Sequence, residues 1–148
     1  MAGARRESRE LDALPEWGPG TVAVLSTGAG RPHAIPVSTA VRIGPRTIAL
    51  ALALRRESLA RVRADPRCAL TIVAGGNVAL TAHGGATIVE EPMAVSDRVV
   101  ALRIDVEEIQ DHRQDRFEID AGVRWRWTDP GAERRDLEIR AALRRLVP

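Results

Sequence analysis

Short apolar segments separated by glycine and proline turns dominate this chain and limit the folds open to it. The segments cover residues 21–26, 31–41, 47–54, 68–73, 78–90 and 98–106. Turn-forming sequences stand between several of them, as at Gly28-Ala29-Gly30, Gly44-Pro45 and Gly75-Gly76-Asn77. Segments of this length and composition are typical of strands. The sequence therefore predicts a mainly β protein with six to seven antiparallel strands in a small, partly open barrel.

Two strands carry signals about their place in that barrel. Pro32 and Pro36 stand four residues apart within 31–41, on one face of the pleat, and neither can donate a ladder hydrogen bond. This strand is therefore expected at an edge or a bulge. The segment 47–54 is apolar without interruption, which predicts burial on both faces.

The later strands are marked by glycine. Gly84-Gly85 interrupts the long strand 78–90, which indicates a bulge or a sharp corner. Residues 107–114 either extend the strand before them or form a corner, and their pattern leaves both possibilities open.

The two ends of the chain are expected to differ from the barrel. Residues 7–14 predict a short N-terminal helix, and Asp129-Pro130 predicts the start of a C-terminal helix over 129–147. Ile139, Leu143 and Leu146 form the apolar stripe of that helix. Before that helix, apolar and charged residues alternate over 122–127, which predicts a strand. The alternation places Val123, Trp125 and Trp127 on one face and Arg124 and Arg126 on the other.

Composition predicts one domain with an aliphatic core. At 148 residues the chain fits a single domain over 1–148, with an N-terminal arm to residue 19, a barrel over 20–127 and the final helix. Apolar residues are 45% but aromatics only 3%, so Val, Ile, Leu and Ala must fill the interior. No apolar run approaches the roughly 20 residues of a membrane span. We therefore expect a soluble, cytoplasmic protein without a membrane partner.

All 22 basic residues are arginine, against 20 acidic residues, and the net charge is only +2. Because the two signs are interspersed, an arginine-rich nucleic-acid binder that stacks bases on its tryptophans is a weaker hypothesis, and we expect no nucleic-acid partner. The absence of lysine excludes Schiff-base chemistry. A phosphate group must then be held by arginine, hydroxyl, imidazole or backbone N–H groups.

The sequence Arg55-Arg56-Glu57-Ser58 stands where a strand hands over to a short helix over 59–64. Helix N-termini favour anions because their backbone N–H groups and dipole point outward. This predicts a phosphate site, with a solvated basic turn as the plain alternative. Cys68 lies within an apolar strand pattern and is expected to be a buried, inert thiol. The three histidines are too scattered for a zinc signature, so no metal site is predicted.

Three segments, in their order, resemble the pyridoxamine 5′-phosphate oxidase-like, flavin-binding split-barrel family. They are GRPHAIPV at 30–37, the strand-to-Asp-Pro-Arg module ending at 65–70, and VALTAHGGATIVE at 78–90. The resemblance spans residues 20–110 and implies a split β-barrel that forms a homodimer, with FMN or the deazaflavin F420 in clefts at the subunit interface.

The resemblance also implies which residues hold the cofactor. By position, the phosphate ligands are Arg55, Arg56, Ser58 and Arg61, and the ring platform is His33, Ala34, Ile35, Pro36 and Val37. Ser58 stands where the family commonly has lysine. The hydroxyl of Ser58 and the guanidinium groups of the neighbouring arginines can replace the lysine ammonium by charge-assisted hydrogen bonds to the phosphate.

The function implied is an FMN- or F420-dependent oxidoreductase that transfers hydride to or from a small-molecule substrate. Such an enzyme needs no catalytic acid–base set of its own, because the cofactor carries the chemistry. The alternative is a non-catalytic split-barrel protein that binds a flavin, haem or another planar ligand. For Trp125 and Trp127, packing against the final helix or a partner subunit and stacking on a ring both remain open.

Overall fold

A computed structural model describes residues 9–28 and 30–147 of the chain. It contains eight strands and two helices. The strands are β1 (Arg9–Glu10), β2 (Ala23–Thr27), β3 (His33–Val37), β4 (Val41–Gly44), β5 (Thr47–Ala53), β6 (Arg67–Ala74), β7 (Val78–Glu90) and β8 (Val99–Asp111). The helices are α1 (Glu57–Ala64) and α2 (Pro130–Arg144). The predicted split barrel with a C-terminal helix is confirmed.

All strand pairs are antiparallel and form one sheet in the order β3-β2-β6-β7-β8-β5-β4, with β1 added beside β8. The path ends at β3 on one side and β4 on the other, so the described sheet is not closed. Pro36 therefore lies in an edge strand, as predicted, where its missing N–H costs no ladder bond.

The single strand predicted over 31–41 is wrong, because the chain breaks into β3 and β4 on opposite edges of the sheet. The break falls at residues 38–40. Here the Thr39 hydroxyl bonds both the N–H and the C=O of Ala51, at 3.0 Å each. The Thr39 side chain thus supplies the hydrogen bonds that a neighbouring strand would give Ala51. The chain then continues into β4, which pairs with β5.

The glycine pair in β7 forms the predicted bulge. The register against β8 shifts between His83, which faces Glu108, and Gly84, which faces Val106. A Cβ added at Gly84 would overlap the carbonyl oxygen of Asp105, whereas Gly85 has open space around it. Strand β8 continues to Asp111, so the chain after residue 106 extends the strand.

The core is aliphatic and has two parts. The larger part lies inside the sheet around Leu25, Leu50 and Leu70, which are completely buried. The smaller part lies under α2, where Leu143 packs with Ala49 and other small side chains and Ile139 and Leu146 border it. Strand β5 supplies both parts, which confirms its predicted burial on two faces. Asp129 caps α2 by accepting from Gly131 N at 2.9 Å.

Two local predictions are wrong. Residues 9–14 form no helix: Arg9–Glu10 pairs with β8 instead, while residues 7 and 8 of that prediction, like Ala29 of the first turn, lie outside the described residues. Residues 122–127 form no strand. Trp125 Nε1 donates instead to Gly20 O at 2.8 Å, and neighbouring backbone binds Asn77 at the β6–β7 turn. Tertiary hydrogen bonds have replaced the ladder that the alternation suggested.

Candidate functional site

The start of α1 lies against the start of β3 and brings together three of the predicted site residues. Helix α1 buries Leu59 and Val62 against the barrel, and the Ser58 side chain is fully buried with them. Arg56 takes the N-cap position with an extended backbone and no side-chain cap. The first turn of the helix therefore presents backbone N–H groups next to His33, the first residue of β3.

His33, Ser58 and Arg61 are joined through a fourth residue, Glu57. His33 Nε2 lies 3.1 Å from Ser58 Oγ, and His33 Nδ1 lies 2.8 Å from Glu57 Oε2. Arg61 Nε donates to the same Oε2 at 3.0 Å, and Arg61 Nη1 donates to Arg31 O at 2.6 Å. A neutral His33 satisfies both contacts when Nδ1–H donates to Glu57 and Nε2 accepts from the Ser58 hydroxyl.

The Glu57 carboxylate thus occupies the place where the sequence predicts a phosphate. The hydrogen bond from Arg61, together with its charge, lowers the pKa of Glu57 although desolvation opposes the shift, so this group is an anion at neutral pH. Its side chain is 56% exposed, whereas those of His33 and Arg61 are 18% and 14% exposed. The donors are held in place, and the acceptor faces solvent.

Ser58, His33 and Glu57 have the donor–acceptor order of a serine hydrolase triad, but they cannot act as one in this arrangement. A nucleophilic hydroxyl must reach a substrate carbonyl. Ser58 is 0% exposed, so it positions the imidazole and does not attack a substrate.

The other predicted site residues do not join this cluster. The two arginines before α1 point to solvent, and the residues of β3 alternate between the two faces of the sheet. Arg55 and Arg56 are exposed, and neither has a side-chain hydrogen bond to the cluster within the described ranges. In β3, Ile35 and Val37 pack toward the core while Ala34 and Pro36 are exposed. Because side chains alternate along a strand, only alternate members of the predicted platform share one face.

The exposed face of the sheet beside Ala34 carries small side chains. Ala34 pairs with Ser26, Ser26 with Ala69, and Ala69 with His83, so small side chains form a row across four strands that ends in an imidazole. An open depression of about 330 Å³ lies over the Ser26, Ala69 and His83 part of this row and is also bordered by Arg67. A row of small residues leaves room for a planar ring to lie on the sheet.

Cys68 and Thr27 also line the depression, and Asp65 binds Arg67, which borders it. Asp65 accepts hydrogen bonds from the backbone and side chain of Arg67, which lowers the pKa of Asp65 to about 2. Cys68 is buried, as predicted, and its burial raises the pKa of the thiol to about 11. The buried Thr27 hydroxyl has no hydrogen-bond partner among the described residues. Residues 9–28 and 30–147 contain no group of three or more metal-ligating side chains.

Sequence reasoning missed Glu57, Ser26, Ala69 and His83. The four-residue spacing of Glu57 and Arg61 on a helix is a local signal that could have identified that pair. The platform row depends on the strand register, which pairs β2 with β6 across more than 40 residues of chain, and no local pattern encodes it.

Solved structures share this fold. A candidate pyridoxamine 5′-phosphate oxidase from Lactobacillus delbrueckii aligns with a TM-score of 0.57 and 14% identity, over 68% of this chain and 98% of that one. A second candidate oxidase, from Listeria innocua, aligns with a TM-score of 0.52 and 20% identity, over 64% and 90%. An FAD-binding protein from Mesorhizobium loti aligns with a TM-score of 0.50 and 16% identity, over 60% and 83%.

These likenesses show that the chain has the split-barrel fold of pyridoxamine 5′-phosphate oxidase-like proteins. No protein-family model matches the sequence, and the search of curated proteins returned no significant match. About a third of this chain has no counterpart in the Lactobacillus structure. None of the described helices is both long enough and apolar enough to cross a membrane.

Proposed function

We propose that the protein binds a flavin nucleotide, FMN or in its place F420, and acts as an oxidoreductase on a small molecule. The observation that carries this proposal is the anion site at α1, where Arg61 and His33 already bind a carboxylate, Glu57. Donors that hold a carboxylate are chemically suited to a phosphate. Resemblance to flavin-binding split barrels, one of them an FAD-binding protein, supports the choice of a flavin.

The donor set and the platform fit the two ends of such a molecule. Arg61, His33 and the backbone N–H groups of the first turn of α1, including that of Ser58, would hold the phosphate, with Arg55 and Arg56 adding charge from the exposed turn. The small residues beside Ala34 would carry the ring, and His83 and Arg67 border the same depression. Strands β2, β3 and β6 and helix α1 meet at this end of the barrel, and the ligand would have to pass around the start of β3, because His33 and Ala34 point to opposite faces of that strand.

A bound flavin supplies hydride transfer, and the residues of this chain bind and orient it. The phosphate would take the place of the Glu57 carboxylate at Arg61, because two anions cannot share one guanidinium edge without strong repulsion. Glu57 is more than half exposed and can turn to solvent. Ser58 and the core side chains of α1 would keep His33 and the helix start in position during that exchange.

We further propose that the protein is a homodimer in which the exposed face of the sheet forms part of the interface. Val24 in β2 and Val73 in β6 are 39% and 45% exposed, and the strand register places them on one face. Exposed apolar side chains on a flat sheet face are typical of interfaces. A second copy over this face would also narrow the depression into a cleft.

Visible absorbance of the purified protein tests the enzymatic proposal. We expect the protein to bind FMN or F420 in separate titrations. The bound flavin should be reduced by NAD(P)H or by reduced F420 and reoxidised by a substrate. Binding without reduction or reoxidation would favour a non-catalytic flavin-binding protein. A protein that binds neither nucleotide would contradict the proposal.

A further inference from the structure

A second cleft lies at the opposite end of strands β2 and β6 from the depression and contains none of the residues assigned to the flavin site. It has a volume of about 680 Å³ and lies between residues 18–22, the segment 122–127 and α2. Ligand sites in proteins commonly have volumes of 300–1,000 Å³. Size alone would not mark it as a site, so its side chains decide what it can bind.

A buried ion pair forms the floor of the cleft. Asp136 and Arg140 stand one turn apart on α2 and are 7% and 5% exposed. Arg140 Nε lies 2.7 Å from Asp136 Oδ2 in an ion pair, and this buried N–H has no hydrogen-bond partner of good geometry among the described residues. Burial raises the pKa of the Asp136 carboxyl in spite of the neighbouring guanidinium. The pair therefore keeps donor and acceptor capacity that the described residues do not use.

Two indole rings form the wall above that pair. Trp125 and Trp127 lie edge to face, with ring centroids 5.0 Å apart, and are 40% and 37% exposed. Trp125 is fixed by its hydrogen bond to Gly20 O. A Cβ added at Gly20 would lie 3.0 Å from Trp125 Cζ2 and 3.2 Å from Arg140 Nη2, so indole and guanidinium converge on this glycine. Partly exposed, anchored indoles offer stacking surface at little entropic cost.

The charges around the cleft favour a neutral ligand. Arg124 and Arg140 are balanced by Glu133 and Asp136 among the lining residues. Nucleic acid and other polyanions need a net positive surface, which this lining does not provide. A carboxylate next to a guanidinium instead matches a molecular edge that carries an N–H beside a C=O.

We propose that this cleft binds a neutral planar heterocycle with a lactam edge, as in a free nucleoside or a pterin. The ring stacks on the face of one of the two indoles, Trp125 or Trp127, and contacts the edge of the other, its N–H donates to Asp136, and its C=O accepts from Arg140. This second site is independent of the flavin site, because the two share no lining residue.

Inosine is the probe, since it is neutral and carries an N–H beside a C=O, and 1-methylinosine is the matched control that lacks that N–H. Two-dimensional NMR of the indole N–H groups, assigned with single Trp→Phe variants, reports binding. We expect inosine to shift the Trp125 and Trp127 signals saturably while Trp17, which bonds Ala40 O elsewhere, stays unchanged. Loss of one hydrogen bond to a charged group should make 1-methylinosine about tenfold weaker or more.

Equal binding of the two nucleosides would mean stacking without recognition of the edge and would overturn the proposal. Shifts that never saturate, or none at all, would overturn it as well, including the case in which a second copy of the chain covers the cleft. The double variant D136L/R140M should abolish binding, because it removes both groups that contact the lactam edge. It should still fold, because buried ion pairs can be replaced by apolar groups of similar volume. Phe117→Ala, an exposed aromatic outside the cleft, should bind normally. If the double variant does not fold, the comparison of the two nucleosides still decides.

Discussion

At the scale of single residues, Glu57 determines how open the anion site at α1 is. Its carboxylate bonds His33 and Arg61, the same two donors that the proposed phosphate requires. The site is therefore pre-formed, since His33 and Arg61 are already oriented. It is also occupied by the protein itself, since the Glu57 carboxylate must leave before a phosphate can bind. Binding a nucleotide then carries the cost of breaking two charge-assisted contacts.

Glu57→Gln should therefore strengthen FMN binding, by about threefold or more, because a neutral amide competes less well for Arg61 than a carboxylate does. Fluorescence titration of FMN measures the affinity. Glu91→Gln is the matched control, since Glu91 pairs with Arg63 on the same helix and its loss changes the net charge equally. Weaker binding by Glu57→Gln would show that Glu57 supports the ligand and does not compete with it.

At the scale of elements, the bulge in β7 is the clearest case of a residue that the backbone requires. Gly84→Ala should lower the free energy of unfolding by more than about 2 kcal/mol, because the new Cβ overlaps the Asp105 carbonyl in the paired strand β8. Gly85→Ala should change it by less than about 1 kcal/mol, since that position has open space. Urea unfolding of both variants compares them, and equal stabilities would contradict the bulge geometry.

Most elements could be predicted because their signals are local. The unbroken apolar run of β5, the glycine pair of β7 and the Asp129-Pro130 start of α2 each act within a few residues. The segment 122–127 alternates like a strand, but Trp125 bonds Gly20, a residue more than 100 positions away. The break at Thr39 likewise depends on Ala51. Local patterns cannot encode such distant partners.

The site divides in the same way. The order of the motifs placed Ser58, Arg61 and His33 in one region, and the structure brings them into contact. The platform could not be predicted as a set, because strand alternation turns Ile35 and Val37 toward the core. The residues that replace them, Ser26 and Ala69, follow from a register that only the folded sheet defines.

At the scale of the whole molecule, the exposed sheet face predicts the state of assembly. We expect a homodimer by analytical ultracentrifugation, and Val73→Asp should raise its dissociation constant about tenfold or more by placing a charge in the interface. Val147→Asp, at a more exposed valine beyond α2, should leave it unchanged. A monomer at all concentrations, or a dimer that both variants leave intact, would remove this face from the interface.

The central claim is that the start of α1 holds the phosphate of a flavin nucleotide, and titration of FMN against three forms of the protein tests it most directly. The unmodified protein should quench FMN fluorescence saturably, and Arg61→Ala should weaken binding about tenfold or more, since a hydrogen bond to a charged group is lost. Arg63→Ala removes the same charge from the same helix but on the side of Glu91, and it should bind normally. No saturable quenching by the unmodified protein, or equal affinity in all three forms, would contradict the claim.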